Sequence, residues 1–308
     1  MFRELCVVQY LSCFLAVFLG CQTQPEAREI MYSDPVVDGD NAHRPMSPDD
    51  YPFLKTTTVK ADPLESRFPV PAGYHRVPLT KGSFGEWLRR LPVTKGKAVV
   101  RSFNGRLLRA PAAAVVPLDI GSGDVQQCAD SVLRLHAEFQ WKRGAADELS
   151  IHFTSGDESN WKAWREGERF EIAGSRVKRT QNKAVNNTHI EFRKWLQHSF
   201  LYAGTRSLKL DSTAVPLTEA LQPGDFFVSP GSPGHAVIIL DVAHAPGKPS
   251  VALLGQGFMP AQSFHVLEDR GGHMIDGWFV LPDGPDGQLI NPSWSPFPRS
   301  SALRFPGS

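Results

Sequence analysis

The sequence predicts an α+β domain on a mainly antiparallel sheet, with helices early in the chain and strands late. Residues 124–139 and 188–203 each place apolar side chains along one helical face. After residue 225 the apolar residues come as short runs, 226–228, 236–242, 251–254 and 264–267, separated by Gly and Pro turns.

The chain opens on Met1-Phe2-Arg3 and an apolar run from Leu5 to Leu19 that ends at Gly20-Cys21. A basic start, a short apolar core and a small residue before the cut predict a signal peptide over residues 1–20. A membrane span would need about 20 apolar residues. Val17-Phe18-Leu19-Gly20-Cys21 resembles a bacterial lipobox. That resemblance implies acylation of Cys21 and an exported lipoprotein, anchored in the cell envelope on the outer-membrane or periplasmic side. Residues 21–69 are rich in Asp, Pro, Ser and Thr and read as an extended, lipidated tether. A flexible tether of roughly 50 residues spans about 40 Å. Residues 70–308 are expected to form a single α+β globular domain.

Within that domain, Phe84, Trp87 and Leu88 predict a short helix over 83–90. Alternation over 98–103 followed by Asn104-Gly105 predicts a hairpin, and residues 114–120 a further strand. Gly121-Ser122-Gly123-Asp124 opens the strongest helix signal, with Asp124 as its cap and Gln127 completing a capping box. Val125, Cys128, Ala129, Val132, Leu135 and Phe139 fall on one face, and Gly144 ends the run. Residues 149–153 read as a strand, 160–165 as a short helix, and 170–172 with 175–179 as a hairpin about Gly174. Residues 188–203 form the second amphipathic helix, with Phe192, Trp195, Leu196, Phe200 and Leu201.

Lys and Arg total 33 against 32 for Asp and Glu, a net charge of +1, which argues against nucleic acid as a partner. There is no His-Glu-x-x-His, no phosphate-cradling glycine loop and no dinucleotide fingerprint, so neither metal nor cofactor is expected.

The chemistry centres on Cys128. Of the four cysteines, Cys6 and Cys13 fall in the signal and Cys21 at the lipidation position, leaving Cys128 without a disulfide partner. A helix start favours the thiolate by only about 0.3–1 kcal/mol, so a nucleophilic Cys128 needs a histidine. The candidate is His235, which follows Gly231-Ser232-Pro233-Gly234 at the mouth of a strand. Gln256 on the next strand, or second Gln262, would fix its tautomer. Gln126 and Gln127 are candidate oxyanion donors beside the Cys128 amide, Gln126 preferred because the capping box claims Gln127. His136 stands eight residues on, about 12 Å of helical rise away. The competing reading makes Cys128 a buried core thiol, in a protein that binds a peptide or glycan without cutting it. Trp161, Trp164, Trp195, Trp278 and Trp294 would then supply the cleft.

A Cys at a helix start, then Gly224-Asp225, then Gly234-His235-Ala236-Val237-Ile238-Ile239, then a polar residue on the next strand, resembles the papain-like NlpC-type and CHAP-type amidases of bacterial cell walls. The resemblance implies a papain-like fold and a cysteine hydrolase of peptidoglycan amide bonds, with Cys128 as nucleophile, His235 as base and Gln256 as orienting residue. Residues 144–217 would be an insertion beside the sheet. The Cys-to-His gap is longer than in those domains, and Gln stands where Glu, Asn or His is usual. A more extended resemblance, from about Phe68 to Phe305, is to the domain-of-unknown-function family 4846. It runs through Asp124-Val125-Gln126-Gln127-Cys128-Ala129-Asp130, Leu133 to Glu138, Tyr202-Ala203-Gly204-Thr205, Gly231 to Val237 and Met259-Pro260-Ala261-Gln262. It implies a fold unit and no particular reaction.

Overall fold

The structure, a computed structural model, describes residue 47 and residues 49–56, 59–174 and 176–307. The signal peptide, Cys21 and the first part of the expected tether lie outside the described residues.

The class is α+β, with antiparallel strand pairs and few helices. The main sheet centres on His235–His244, a strand buried along nearly its whole length. It pairs on one side with Phe226–Ser229 and on the other with Val251–Gln256. Phe226–Ser229 is followed outward by Ala302–Arg304 and Thr213–Ala214. Val251–Gln256 also pairs with Trp278–Val280 and with His265–Leu267, which in turn pairs with Ala112–Val115.

Both faces of the sheet are covered, which is why its strands read as unbroken apolar runs. Ala236, Ile238 and Leu240 face the larger core, with Ala129, Val132, Leu135 and Phe139 of the helix Cys128–Lys142. Val237 and Ile239 face a second core with Phe227, Leu254, Leu289 and Phe297. A register shift between Ile239 and Asp241 turns the buried Asp241 carboxylate toward Arg76 Nε at 2.6 Å and Arg89 Nε at 2.8 Å. Asp225 likewise receives Arg304 through two hydrogen bonds of 2.6 and 3.0 Å, fastening the C-terminal strand.

Several boundaries differ from the sequence reading. The Cys128 helix starts at Cys128 rather than Asp124, with Gln127 as its cap and the Gln127 amide donating to Asp130 Oδ2 at 3.0 Å. Asp124 Oδ1 is taken by the Ala261 amide at 2.6 Å and Gln127 Nε2 at 3.0 Å, so a loop contact replaces the expected cap. The expected strand over 98–103 reduces to a bridge between Arg101 and Leu107 around the Asn104-Gly105 turn. The tether does not extend to residue 69: Tyr51, Phe53 and Leu64 are buried in the main core, and the Tyr51 hydroxyl donates to the Trp87 carbonyl at 2.9 Å. A few aromatics suffice to anchor a polar segment when a pocket receives them.

The segment 144–217 lies over the outer side of the Cys128 helix. Phe192, on the helix His189–Phe200, meets Trp141 at 4.8 Å between ring centres, and Trp161 meets Phe192 at 5.1 Å. The helix is consequently buried on every side from Cys128 to Gln140, its polar residues included. Arg134 sits wholly inside, bonded to Glu138 at 2.7 Å, to Asp119 at 2.9 Å and to the Gln126 oxygen at 3.1 Å. Glu138 also meets His189 at 2.9 Å. No helix among the described residues is long and apolar enough to cross a membrane.

Candidate active site

Cys128 is the first residue of its helix and only 4% exposed. Its Sγ donates to the Gly234 carbonyl at 3.8 Å, so the sulfur rests on the main chain just before His235, where the strand begins. The amides of Ala236, Ala129 and Cys128 favour the thiolate form of the sulfur. Gly257 permits the helix start to pack this closely, since a Cβ there would stand 2.8 Å from the Gln127 carbonyl. Gly234 lets its own loop close, since a Cβ there would stand 2.8 Å from the Ser229 carbonyl.

His235 is fully buried. Its Nε2 lies 2.8 Å from Gln256 Oε1, and its ring is flanked by Phe258 and Trp294 with centres near 5 Å. The neighbours of Gln256 decide the proton. His265 Nδ1 lies 2.9 Å from the Ser263 carbonyl, which can only accept, so that nitrogen carries the hydrogen and His265 Nε2 is an acceptor. The Gln256 amide nitrogen donates to His265 Nε2 at 3.4 Å and to Ser293 Oγ at 2.9 Å. Gln256 Oε1 therefore receives the hydrogen of His235 Nε2. The His235 Nδ1 keeps its lone pair, and that buried nitrogen has no hydrogen-bond partner among the described residues.

Burial sets the charges. It pushes the His235 and His265 imidazoles each down to about 4, so both are neutral near pH 7. Burial first, and the Asp130 charge second, push the Cys128 thiol up to about 11. The pair rests as neutral thiol and neutral imidazole, with no hydrogen bond between sulfur and ring.

A cleft of about 560 Å³ opens at Cys128. One wall is Asp124, Gln127 and Asp130 from the helix start, another Phe200, Gly204, Thr205 and Arg206, and a third Gly231 to Gly234. The oxyanion candidates separate here. Gln126 is wholly buried away from the cleft, its oxygen held by Arg134, whereas Gln127 borders it with its amide engaged by Asp124. The preference for Gln126 is corrected accordingly, because Arg134 claims it. Gln262 is buried and forms a bridge through Ser102. The tryptophans are not the cleft either: Trp161, Trp164, Trp195 and Trp278 fill the core, and Trp294 covers His235. Among the described residues no cluster of three or more His, Cys, Asp or Glu could hold a metal ion.

His265, Ser293 and Asp130 were not singled out by the sequence. His265 carried one usable signal, a histidine inside an apolar strand next to the strand of Gln256. Ser293 carried none, since it comes from a separate hairpin.

Residues 64–304 match the family described as domain of unknown function (4846), and the chain belongs to that family. No curated protein and no solved structure matches the chain.

Proposed function

We propose that the protein is a lipid-anchored envelope hydrolase of the papain-like kind, with Cys128 as nucleophile and peptidoglycan peptides as the nearest amide substrates. The observation that carries this reading is the His235 Nδ1 lone pair, buried, unpartnered and held in one tautomer by Gln256, on the residue whose flanking main chain carries the Cys128 sulfur. In the reaction Nδ1 takes the thiol proton as sulfur bonds to the carbonyl carbon. The imidazolium is steadied through Gln256 and returns that proton to the leaving nitrogen as the C–N bond breaks. Water then attacks the thioester, giving a proton to Nδ1, and the thiol is restored. The amide of Cys128 and the Gln127 side chain border the place where the oxyanion would form. Export behind residues 1–20 and acylation of Cys21 belong to the same proposal.

Cys128→Ala should abolish hydrolysis of muropeptides, a loss of roughly a thousandfold or more, while leaving the circular dichroism and melting temperature unchanged. Equal turnover by the variant would end the proposal. The second reading, a binding protein that does not cut, is favoured by the raised thiol pKa and by the absence of a sulfur–imidazole bond. Iodoacetamide at neutral pH separates the two. Fast alkylation of the folded protein supports the hydrolase, and labelling only after denaturation supports the binder.

A further inference from the structure

Three charged residues line the Cys128 cleft, Asp124, Asp130 and Arg206, and only the last is a cation. Asp124 Oδ1 is spent on the Ala261 amide and Gln127 Nε2, and Asp130 is buried against the Gln127 amide. Arg206 is exposed, and among the described residues its guanidinium has no ion pair and no hydrogen bond. Thr154 and Ser232 also line the cleft and are exposed, and their hydroxyls have no hydrogen-bond partner among the described residues. Three exposed side chains of the cleft can thus donate to a bound molecule, one of them with a full charge. The main chain of Arg206 is fixed relative to the thiol. Its buried neighbour Thr205 accepts from the Gly231 amide at 3.2 Å and donates to the Gly231 carbonyl at 3.3 Å. That loop runs on to Gly234, whose carbonyl meets the Cys128 sulfur at 3.8 Å. The long Arg206 side chain has no partner to hold it elsewhere and is free to turn onto a molecule in the cleft.

We infer that Arg206 receives a carboxylate of the bound molecule, so that the cleft selects peptides with a free carboxylate close to the amide at Cys128. The choice of a peptide rests on the hydrolase reading, while the carboxylate concerns binding alone. A guanidinium presents its donors as a planar fork that matches the two oxygens of a carboxylate. A phosphate offers matching oxygens too, but its second charge would meet no second cation in a cleft that already holds Asp124 and Asp130. One positive charge suits a monoanion, and the Thr154 and Ser232 hydroxyls then serve the carbonyls of the same peptide.

Calorimetry on the full-length Cys128→Ala protein tests this without turnover. The probes are a peptidoglycan stem tetrapeptide, the same peptide amidated at its C-terminus, the same peptide amidated at its glutamyl carboxylate, and the doubly amidated form. The free peptide should bind about tenfold more tightly than the doubly amidated one, the size of one charge-assisted hydrogen bond. Arg206→Gln, a change at an exposed side chain that should leave the melting temperature unchanged, should erase the difference, and Arg206→Lys should keep part of it. The singly amidated peptide that loses the advantage identifies which carboxylate is bound. Equal affinity of the free and doubly amidated peptides, or binding of neither, overturns the proposal. A preference that survives Arg206→Gln overturns it too. If the preference appears but the wild-type protein cuts none of the peptides, the carboxylate site stands and the hydrolase reading falls.

Discussion

Gln256 uses its side chain completely: its oxygen faces His235, and its nitrogen serves both His265 and Ser293. The Ser263 carbonyl fixes the His265 tautomer, and Gln256 passes that choice on to His235. Gln256→Leu should leave two buried imidazole nitrogens without partners, together with the half-buried Ser293 hydroxyl, at a cost of about 1–3 kcal/mol for each group that water cannot reach. Urea denaturation should show that loss as a lower midpoint with an unchanged slope. For the proposed hydrolase, kcat should fall by roughly tenfold or more with KM unchanged, since the ring loses its orientation and not its substrate contacts. Cys128, His235 and Gln256 were legible in the sequence because each follows a local signal: a helix start, a glycine turn before a strand, a polar residue ending an apolar run. Ser293 was not, because nothing in its neighbours records that it lies 37 residues from Gln256 in sequence yet within 2.9 Å of it.

At the scale of the element, the Cys128 helix shows how two local rules can compete. Asp124 with Gln127 and Gln127 with Asp130 both have capping-box spacing. The second prevails because the Ala261 loop takes the Asp124 carboxylate. Burial on every side is the other departure from a one-faced amphipathic helix. Its polar side is covered in part by the segment 144–217, through His189 on Glu138, and in part by Asp119, Gln126 and Phe305, with Arg134 and Glu138 paired inside. Arg134→Met should strand Glu138 inside and cost about 3–5 kcal/mol, read by thermal melting. Arg134→Met with Glu138→Leu should recover much of that loss, because an apolar pair leaves no buried charge. A double variant no more stable than the single would show that the network is not what holds the helix.

For the whole molecule, His136, His235 and His265 are neutral in the fold and must gain a proton when it opens in acid. Burial pushes His136 down to about 3, against a wall that includes Phe305, stacked on it at 4.0 Å. A histidine whose pKa is lowered in the fold contributes its full stability above its unfolded value of about 6.5. That contribution is lost as pH falls from there toward the folded value. Between pH 7 and pH 4 the stability advantage of the wild type over His136→Phe should therefore shrink by about 3 kcal/mol, at about 1.4 kcal/mol for each pH unit of linkage. Paired urea titrations at the two pH values measure it, and parallel behaviour of the two proteins would show that His136 does not carry this linkage.

The sequence by itself determined the α+β class, the approximate places of the helices and of the central strands, the family, and the candidacy of Cys128, His235 and Gln256. Periodicity, turn residues and family motifs are written in neighbouring residues and can be read there. Only the tertiary structure decided where the helix begins, how far the globular body reaches toward the N-terminus, which glutamine borders the cleft, and that His265 and Ser293 complete the histidine's setting. It also set Arg206, exposed and unpaired among the described residues, on the wall of the cleft. Each of those outcomes depends on groups far apart in the chain, such as Cys128 and Gly234, separated by 106 residues, whose meeting follows from packing rather than from any local pattern.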